Sequence, residues 1–292
     1  MTPEIGILLA LVCAFVANLG FFYKHRGANA VAKVQVRHPL SSARALYSSK
    51  WFALGMAIAV VSWAFHVAAL AFAPMSVVQV SLAAGVVLIA VMAERMFGFE
   101  VGPRQWLGLF LTATGLAMLG LTLPALHGAH SQFSQAAMIS FEAGLFGLGG
   151  LLIMGPRMGG PAEHHGIMLG AAAGILFGVS DTAIKALTGI TGAHGLMALL
   201  LSPWLAVALV ASVVAFYASA KGLQDGEAVP VIAVTGTAAN IAGIAGGIIV
   251  FGDPMAGGAL GVTLQAFAFV LVVVASALMP APLRAAPAVA QA

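Results

Sequence analysis

The sequence predicts an all-α integral membrane protein with about nine transmembrane helices in two inverted repeats. Of its 292 residues, 61% are hydrophobic and only 7% are charged, and the mean hydropathy is +1.05. Soluble domains carry about 25% charged residues, so this composition excludes that class. The formal net charge is only +3, and no basic block with interleaved aromatic residues indicates nucleic-acid binding. The expected surroundings of the chain are therefore a lipid bilayer.

Nine apolar segments have the length needed to cross the membrane. A bilayer core of about 30 Å takes roughly 20 helical residues. Basic, polar or Gly- and Pro-containing stretches, which typically end helices, separate the segments. The Pro- and Ala-rich C-terminal tail, 280–292, is predicted to be disordered. The predicted spans are 4–23, 51–72, 75–97, 104–124, 134–154, 167–188, 196–219, 229–250 and 257–279.

The basic residues predict the orientation of these spans. The first span is not expected to be a cleavable signal peptide, because its basic residues follow the apolar run. With nine spans, 11 of the 12 Lys and Arg residues fall on one side of the membrane, which the positive-inside rule assigns to the cytoplasm. The sequence thus predicts a multi-pass protein of the plasma (inner) membrane, with the N-terminus outside and the C-terminus cytoplasmic. Lys185 is the exception.

Two motifs recur in the same order in the two halves of the chain, which indicates an internal duplication. Five crossings separate the first and sixth spans, so equivalent helices run in opposite directions, as in the inverted repeats of many secondary transporters. FVANLGFFYK (15–24) matches FGVSDTAIK (177–185), and the Val-Val pair at 60–61 precedes Phe97-Gly98 as the pair at 213–214 precedes Phe251-Gly252.

The duplication divides the chain into two repeats. The first repeat, 1–154, contains five helices and a basic cytoplasmic loop at 24–50. A cytoplasmic linker at 155–166 precedes the second repeat, 167–279, which contains four helices.

Several stretches in both halves carry a family resemblance. They are GFFYKHRGA (20–28), the long segment 50–98, WLGLFLTATGLAML (106–119), SDTAIKALTG (180–189) and the long segment 202–254. On these residues the chain resembles the drug/metabolite transporter (DMT, EamA-like) superfamily, and within it the NIPA-type, magnesium-transporter-like branch.

The resemblance implies a DMT-type transporter fold that moves a small solute or metabolite by alternating access between the two inverted repeats. The alternative that it implies is a NIPA-like transporter of magnesium or another divalent cation. A non-transporting membrane assembly subunit is a further alternative. The second half departs from the superfamily pattern because it ends after its fourth helix.

An enzyme is not expected. The chain contains no HExxH motif, Walker loop, nucleophile elbow or cluster of His with acidic residues. We therefore predict no catalytic residues and no cofactor. The expected partners are the bilayer and a small-molecule or ion substrate, and a homodimer is left open. The single cysteine, Cys13, is expected to be a packed apolar residue.

Asp181 and Lys185 are candidate substrate-binding or coupling residues, because ionisable groups at membrane depth are costly. Their i, i+4 spacing favours an ion pair. The pair is interpreted either as a structural device that neutralises the helix end or as part of a substrate or gating site. Lys185 could also reach the outer surface on its own.

Glu142 is the second acidic candidate. It lies roughly 12 Å along the fifth span, with no cation one turn away, which makes it the better candidate for proton coupling or cation binding. A helix that starts later would instead place Glu142 at the interface. If a metal cation is carried, Glu142 or Asp181 would hold it.

Neutral and aromatic candidates complete the expected site. His66 and Tyr217 occupy roughly matching places in the two halves and could line a central cavity, although a lone His in a helix is more often a hydrogen-bonded packing residue than a ligand. Asn18, Gln79 and Asn240 could supply hydrogen bonds there or between helices. Close helix packing is expected at the Gly-rich segments 144–152 and 241–247.

Overall fold

The computed structural model describes residues 3–35, 37–83, 85–122, 131–159, 161–253 and 257–277. The predicted tail at 280–292 lies outside them. The described residues are all-α, with two short 3₁₀ turns at Gly155–Met158 and Ala162–His164. The helices are α1 (Pro3–Ala28), α2 (Pro39–Ser48), α3 (Lys50–Phe72), α4 (Met75–Ala83), α5 (Val86–Phe97), α6 (Pro103–Thr122), α7 (Gln135–Met154), α8 (His165–His194), α9 (Leu196–Leu201), α10 (Pro203–Asp225), α11 (Ala228–Phe251) and α12 (Gly258–Ala277).

Six of these helices are long and apolar enough to cross a membrane: α1, α3, α7, α8, α10 and α11. The pair α4 and α5 bends by 42° at its break and counts as a seventh span if it is taken as one. Within the described residues the chain therefore has six or seven candidate spans. The other two predicted spans, 104–124 and 257–279, correspond to α6 and α12 and extend beyond the described residues.

Three local features differ from the predicted segments. The first helix continues into the basic loop as far as Ala28, and the loop itself contains α2. The predicted span 196–219 is interrupted before Pro203, because proline cannot donate the helical hydrogen bond of a helix interior. The helix restarts there, with Pro203 in its first turn and the Ser202 side chain accepting a hydrogen bond from the Trp204 backbone N–H.

Helix α8 is the central element, packed against α7, α10 and α11. Four glycines at four-residue spacing form one face of it: Gly166, Gly170, Gly174 and Gly178. Because residues four apart share a helix face, the absence of side chains there lets the neighbouring backbones approach closely. The Thr235 hydroxyl of α11 uses this approach to donate to the Gly170 carbonyl oxygen at 3.0 Å.

The two Gly-rich segments singled out from the sequence behave differently. In 241–247, glycines pack closely: Gly243 against Gln79, and Gly247 against Ser76 and Asp253. In 144–152, only Gly149 meets a neighbour, Leu176, whereas a side chain added at the other three glycines would enter open space. The expected close packing at 144–152 is therefore wrong for most of that segment, because its glycines point away from the other described helices.

This contrast gives a matched pair of substitutions. A Cβ at Gly174 would lie 2.7 Å from the Ala238 Cβ and 3.0 Å from the Ala239 backbone nitrogen, so Gly174→Ala must separate α8 from α11. We expect it to lower the free energy of unfolding by about 1–3 kcal/mol. Gly147→Ala, in open space, should leave stability unchanged or raise it slightly. Thermal unfolding in detergent measures both, and equal melting temperatures would contradict the packing described.

Candidate functional site

A cavity of about 920 Å³ lies between helices of the two halves. Helices α1, α3 and α4 line it from the first half, and α8, α10 and α11 from the second. Its walls are mainly apolar and aromatic, with Phe21, Phe52, Trp63, Phe177 and Phe216 among the lining residues. A volume of this size, with apolar walls and a few polar groups, is typical of sites for small organic molecules.

The polar centre of the cavity is formed by Asp181, His66 and Gln79, one residue each from α8, α3 and α4. Asp181 Oδ1 lies 2.9 Å from His66 Nε2. The other carboxylate oxygen, Oδ2, accepts a hydrogen bond of 2.9 Å from Gln79 Nε2. The His66 contact has ion-pair distance but lacks the alignment of a hydrogen bond. The carboxylate of the second half is thus held by side chains of the first half.

Two asparagines border this centre. Asn18 lines the cavity, and its Nδ2 donates to the Gly85 carbonyl oxygen at 2.8 Å, beside the break between α4 and α5. A helix break frees backbone groups that must find another partner in a membrane, and Asn18 supplies one. Asn240 is buried and lines the cavity from α11. The structure therefore brings together five of the candidates named from the sequence: Asn18, His66, Gln79, Asp181 and Asn240.

Lys185 does not belong to this centre. It is 0% exposed, and its Nζ donates to the carbonyl oxygens of Leu70 at 2.7 Å and Ala73 at 2.9 Å, at the C-terminal end of α3. Among the ion pairs of the described residues, Asp181 is paired with His66 and not with Lys185. The predicted i, i+4 pair is therefore corrected. Lys185 satisfies the free carbonyls and the negative dipole end of α3, which the helical spacing of the sequence could not reveal.

Asp253 is a buried acid that the sequence reasoning missed. Its Oδ2 accepts hydrogen bonds from the Ser76 backbone N–H at 2.9 Å and the Ser76 hydroxyl at 2.6 Å, so it caps the N-terminus of α4. Asp253 also interacts electrostatically with Lys185. Asp253 directly follows the Phe251-Gly252 motif, which was the available signal, but it lies between the predicted spans 229–250 and 257–279, so a search for acids at membrane depth does not select it.

Glu142 is buried, with 4% of its surface exposed. Neither of its carboxyl oxygens has a hydrogen-bond partner among the described residues, and Glu142 is not among the residues that line the cavity. A carboxyl group in this position lacks the neighbours that would form a cation site. It remains a candidate for proton coupling only.

Tyr217 was expected to line the cavity and Lys24 was not, and the structure shows the opposite for both. The Tyr217 hydroxyl donates to the Pro39 carbonyl oxygen at 3.0 Å, near the start of α2, and Tyr217 is not among the residues that line the cavity. Lys24, interpreted from the sequence only as a topology signal, lines the cavity and stacks over the Phe21 ring, with Nζ 3.7 Å from its centroid.

The described residues contain no group of three or more His, Cys, Asp or Glu side chains that could hold a metal ion. Asp181 and Glu142, the acids expected to hold a cation, do not meet at one site, because only Asp181 lines the cavity. The arrangement can instead accept hydrogen bonds and balance one positive charge within an apolar enclosure.

The buried position of Lys185 generates a stability prediction. Lys185→Met removes the donor for two buried carbonyls, and we expect the free energy of unfolding to fall by about 2–3 kcal/mol. Lys50→Met, at the exposed opposite end of α3, is the matched control and should change it by less than about 1 kcal/mol. The measurement is thermal unfolding in detergent. A Lys185→Met protein as stable as the control would contradict the capping role.

Comparison with known proteins finds a distant similarity over most of the chain. It is similar to a protein described as "Probable magnesium transporter NIPA9" from Arabidopsis thaliana, with 21% identity over 266 residues that cover 86% of this chain and 74% of that protein. No family model matches the chain. No solved structure matches it. The chain is a multi-pass membrane protein that is distantly related to a NIPA-type probable magnesium transporter.

Proposed function

We propose that the protein is a secondary transporter of the DMT type, which moves a small solute or metabolite through the central cavity by alternating access between two inverted repeats. The observation that carries the proposal is the polar centre: Asp181 of the second half, held by His66 and Gln79 of the first, inside a cavity of about 920 Å³. A site built from both repeats changes its access when the repeats move against each other.

The contacts between helices support the proposed repeats. Helices α1 and α3 pack on each other in the first half as α8 and α10 do in the second. Across the halves, α1 contacts α10 and α3 contacts α8, which are equivalent contacts under the proposed symmetry. The pairs α4 with α11 and α6 with α12 also join equivalent elements. With α6, α12 and the bent α4–α5 pair each taken as one crossing, the proposal has nine spans, with the N-terminus outside the plasma membrane.

The repeated Phe-Gly motif gives independent support. Gly98 ends α5 with a φ of 66°, and Gly252 ends α11 with a φ of 67°. This left-handed conformation favours glycine, because other residues are strained in it. The matching residues of the proposed repeats therefore end their helices in the same way.

We infer that contacts at one end of the cavity close it towards the cytoplasm, and we name them the cytoplasmic latch: Asn29, Lys33 and Val34 against Leu223, Gln224 and Asp225. Lys33 Nζ lies 3.1 Å from Asp225 Oδ1, and the Val34 backbone N–H donates to Gln224 Oε1 at 2.7 Å. Asn29 Nδ2 donates to the Leu223 carbonyl oxygen at 3.1 Å. Because the latch joins the ends of α1 and α10, which belong to different proposed repeats, inward opening requires it to break.

At the other end, Lys185 ties α8 to the junction between α3 and α4, and Asp253, which follows α11, is bonded to Ser76 at the same junction. These contacts also join the two proposed repeats. The proposal assigns them to the outer end, because Lys185 is the basic residue on the outer side of the predicted topology.

A magnesium transporter is the second candidate, favoured by the description of the Arabidopsis relative. Mg²⁺ prefers octahedral oxygen coordination and usually keeps several waters. Asp181 could contact such a hydrated ion, but the described residues offer no cluster of acids to replace its waters. The geometry of the cavity therefore favours an organic solute over a directly coordinated ion.

Filling the cavity tests the transport proposal. Gly236 lines the cavity, and a Cβ added there would meet no atom within 4 Å, so Gly236→Phe can enter the space without disturbing the packing. We expect it to reduce flux in liposomes to near background while thermal stability is kept. Gly147→Phe, which faces open space outside the cavity, is the control.

The flux assay should include both Mg²⁺ and a panel of metabolites. Unchanged flux in a folded Gly236→Phe protein would contradict passage through this cavity. No flux and no binding of any solute by the unsubstituted protein would contradict transport and favour an assembly subunit.

Chemical modification of Cys13 tests whether the latch closes the cavity. Cys13 lines the cavity, and its Sγ lies 3.2 Å from the Ser62 hydroxyl. In inside-out vesicles, breaking the latch with Asp225→Asn and Gln224→Ala should speed modification of Cys13 by a membrane-impermeant thiol reagent. Glu163→Gln, an exposed carboxylate with 79% of its side chain accessible, is the control. Equal modification rates would contradict the assignment of the latch as the cytoplasmic closure.

A further inference from the structure

We propose that the polar centre binds an organic ammonium group that carries N–H bonds, as in a primary or secondary amine, attached to an apolar body. This inference rests on the proposed function in one respect, because it takes such a compound to be the transported solute. The binding site itself is argued from the unused hydrogen-bonding capacity around Asp181, the charge of the cavity and the character of its walls.

The unused capacity at the centre includes a buried acceptor, the amide oxygen of Gln79. Gln79 is 0% exposed, its Nε2 is engaged by Asp181 Oδ2, and its Oε1 is buried without a hydrogen-bond partner among the described residues. The oxygen and nitrogen of the Gln79 amide cannot exchange places, because the oxygen would then face the Asp181 carboxylate. One N–H of the Asn18 amide is likewise used, by the Gly85 carbonyl oxygen. A ligand that donates several hydrogen bonds would satisfy Gln79 Oε1 and the carboxylate of Asp181, whereas an anion would meet these two acceptors.

The charge at the centre also favours a cationic ligand. Asp181 is the carboxylate among the described residues that line the cavity, and its side chain is only 15% exposed. A carboxylate has about four acceptor positions, of which the described partners occupy two. His66 balances the charge only when it is protonated, and Lys24 lies six residues beyond Asn18, about 9 Å along α1. When His66 is neutral, an ammonium group at Asp181 would supply the balancing positive charge.

The walls favour an apolar body over a small metal ion. Phe21, Trp63 and Phe177 line the space around the centre, and aromatic faces attract organic cations. The nearby hydroxyls of Ser180 and Ser212 are bonded to each other at 2.8 Å, so they add little polarity. With about 920 Å³ available, a bare ion would leave most of the cavity unfilled.

A matched set of probes separates charge, N–H donation and shape. We propose titrating the full-length protein in detergent, by isothermal titration calorimetry, with 2-phenylethylammonium and its N,N,N-trimethyl derivative. The neutral probe is 3-phenylpropan-1-ol, the anion is 3-phenylpropionate, and the metal is Mg²⁺. We expect the primary ammonium to bind, the trimethyl compound and the alcohol to bind at least about tenfold more weakly, and the anion and Mg²⁺ not to bind.

Substitutions locate that binding. Asp181→Asn should weaken binding of the primary ammonium roughly ten- to hundredfold, the loss expected for a charge-assisted hydrogen bond. Gln79→Met should weaken it by a smaller factor, because it removes the Oε1 acceptor and leaves the carboxylate. Glu163→Gln makes the same change of carboxylate to amide at an exposed position and should leave binding unchanged. Melting temperatures verify folding, and if Asp181→Asn fails to fold, the probe series and Gln79→Met decide.

The contrary outcomes are distinct. Equal affinity for the primary and trimethyl compounds would overturn the N–H requirement, and Asp181-dependent binding of Mg²⁺ alone would overturn the organic ligand. No binding of the ammonium probe, together with liposomal flux of another solute, would overturn this inference and leave the transport proposal intact. Asp181-dependent ammonium binding without flux of any solute would support the site and contradict transport.

Discussion

Lipid tails offer no hydrogen-bond partners, so a polar group at membrane depth is costly unless it is satisfied inside the protein. This constraint explains how the described helices are joined. Asp181 is held by His66 and Gln79. Lys185 finds the carbonyls at the end of α3. Each of these charged groups on α8 is neutralised or bonded by elements of the first half, so the same contacts that make the charges tolerable also join the two halves.

Helix α8 packs against α11 with one face and lines the cavity with another. Its glycine face, which includes Gly170 and Gly174, lies against α11 at backbone distance. Asp181 and Ser180 instead line the cavity. Close packing on one side keeps the helix in position, and the few polar groups on the other side are therefore presented at defined points in an otherwise apolar space. The site depends on the glycines without containing them.

The sequence predicts the class of the protein well and its contacts poorly. Composition and segment length lead directly to a multi-pass helical membrane protein, and polar residues inside apolar runs lead to Asn18, His66, Gln79 and Asp181, which the structure places at one cavity. The i, i+4 rule failed for Asp181 and Lys185, because partners on other helices compete with the partner one turn away. Asp253 was missed since its role depends on the approach of Ser76, a contact between distant parts of the chain.

The bond between Asn18 and the Gly85 carbonyl, at 2.8 Å, carries a mechanical consequence. Gly85 lies so close to α1 that a Cβ there would be 2.7 Å from the Ala14 Cβ. The bend between α4 and α5 is thus clamped to the middle of the first helix, and one cannot shift along the other by even one turn without losing the clamp. Any tilt of α1 would therefore also move the bend between α4 and α5.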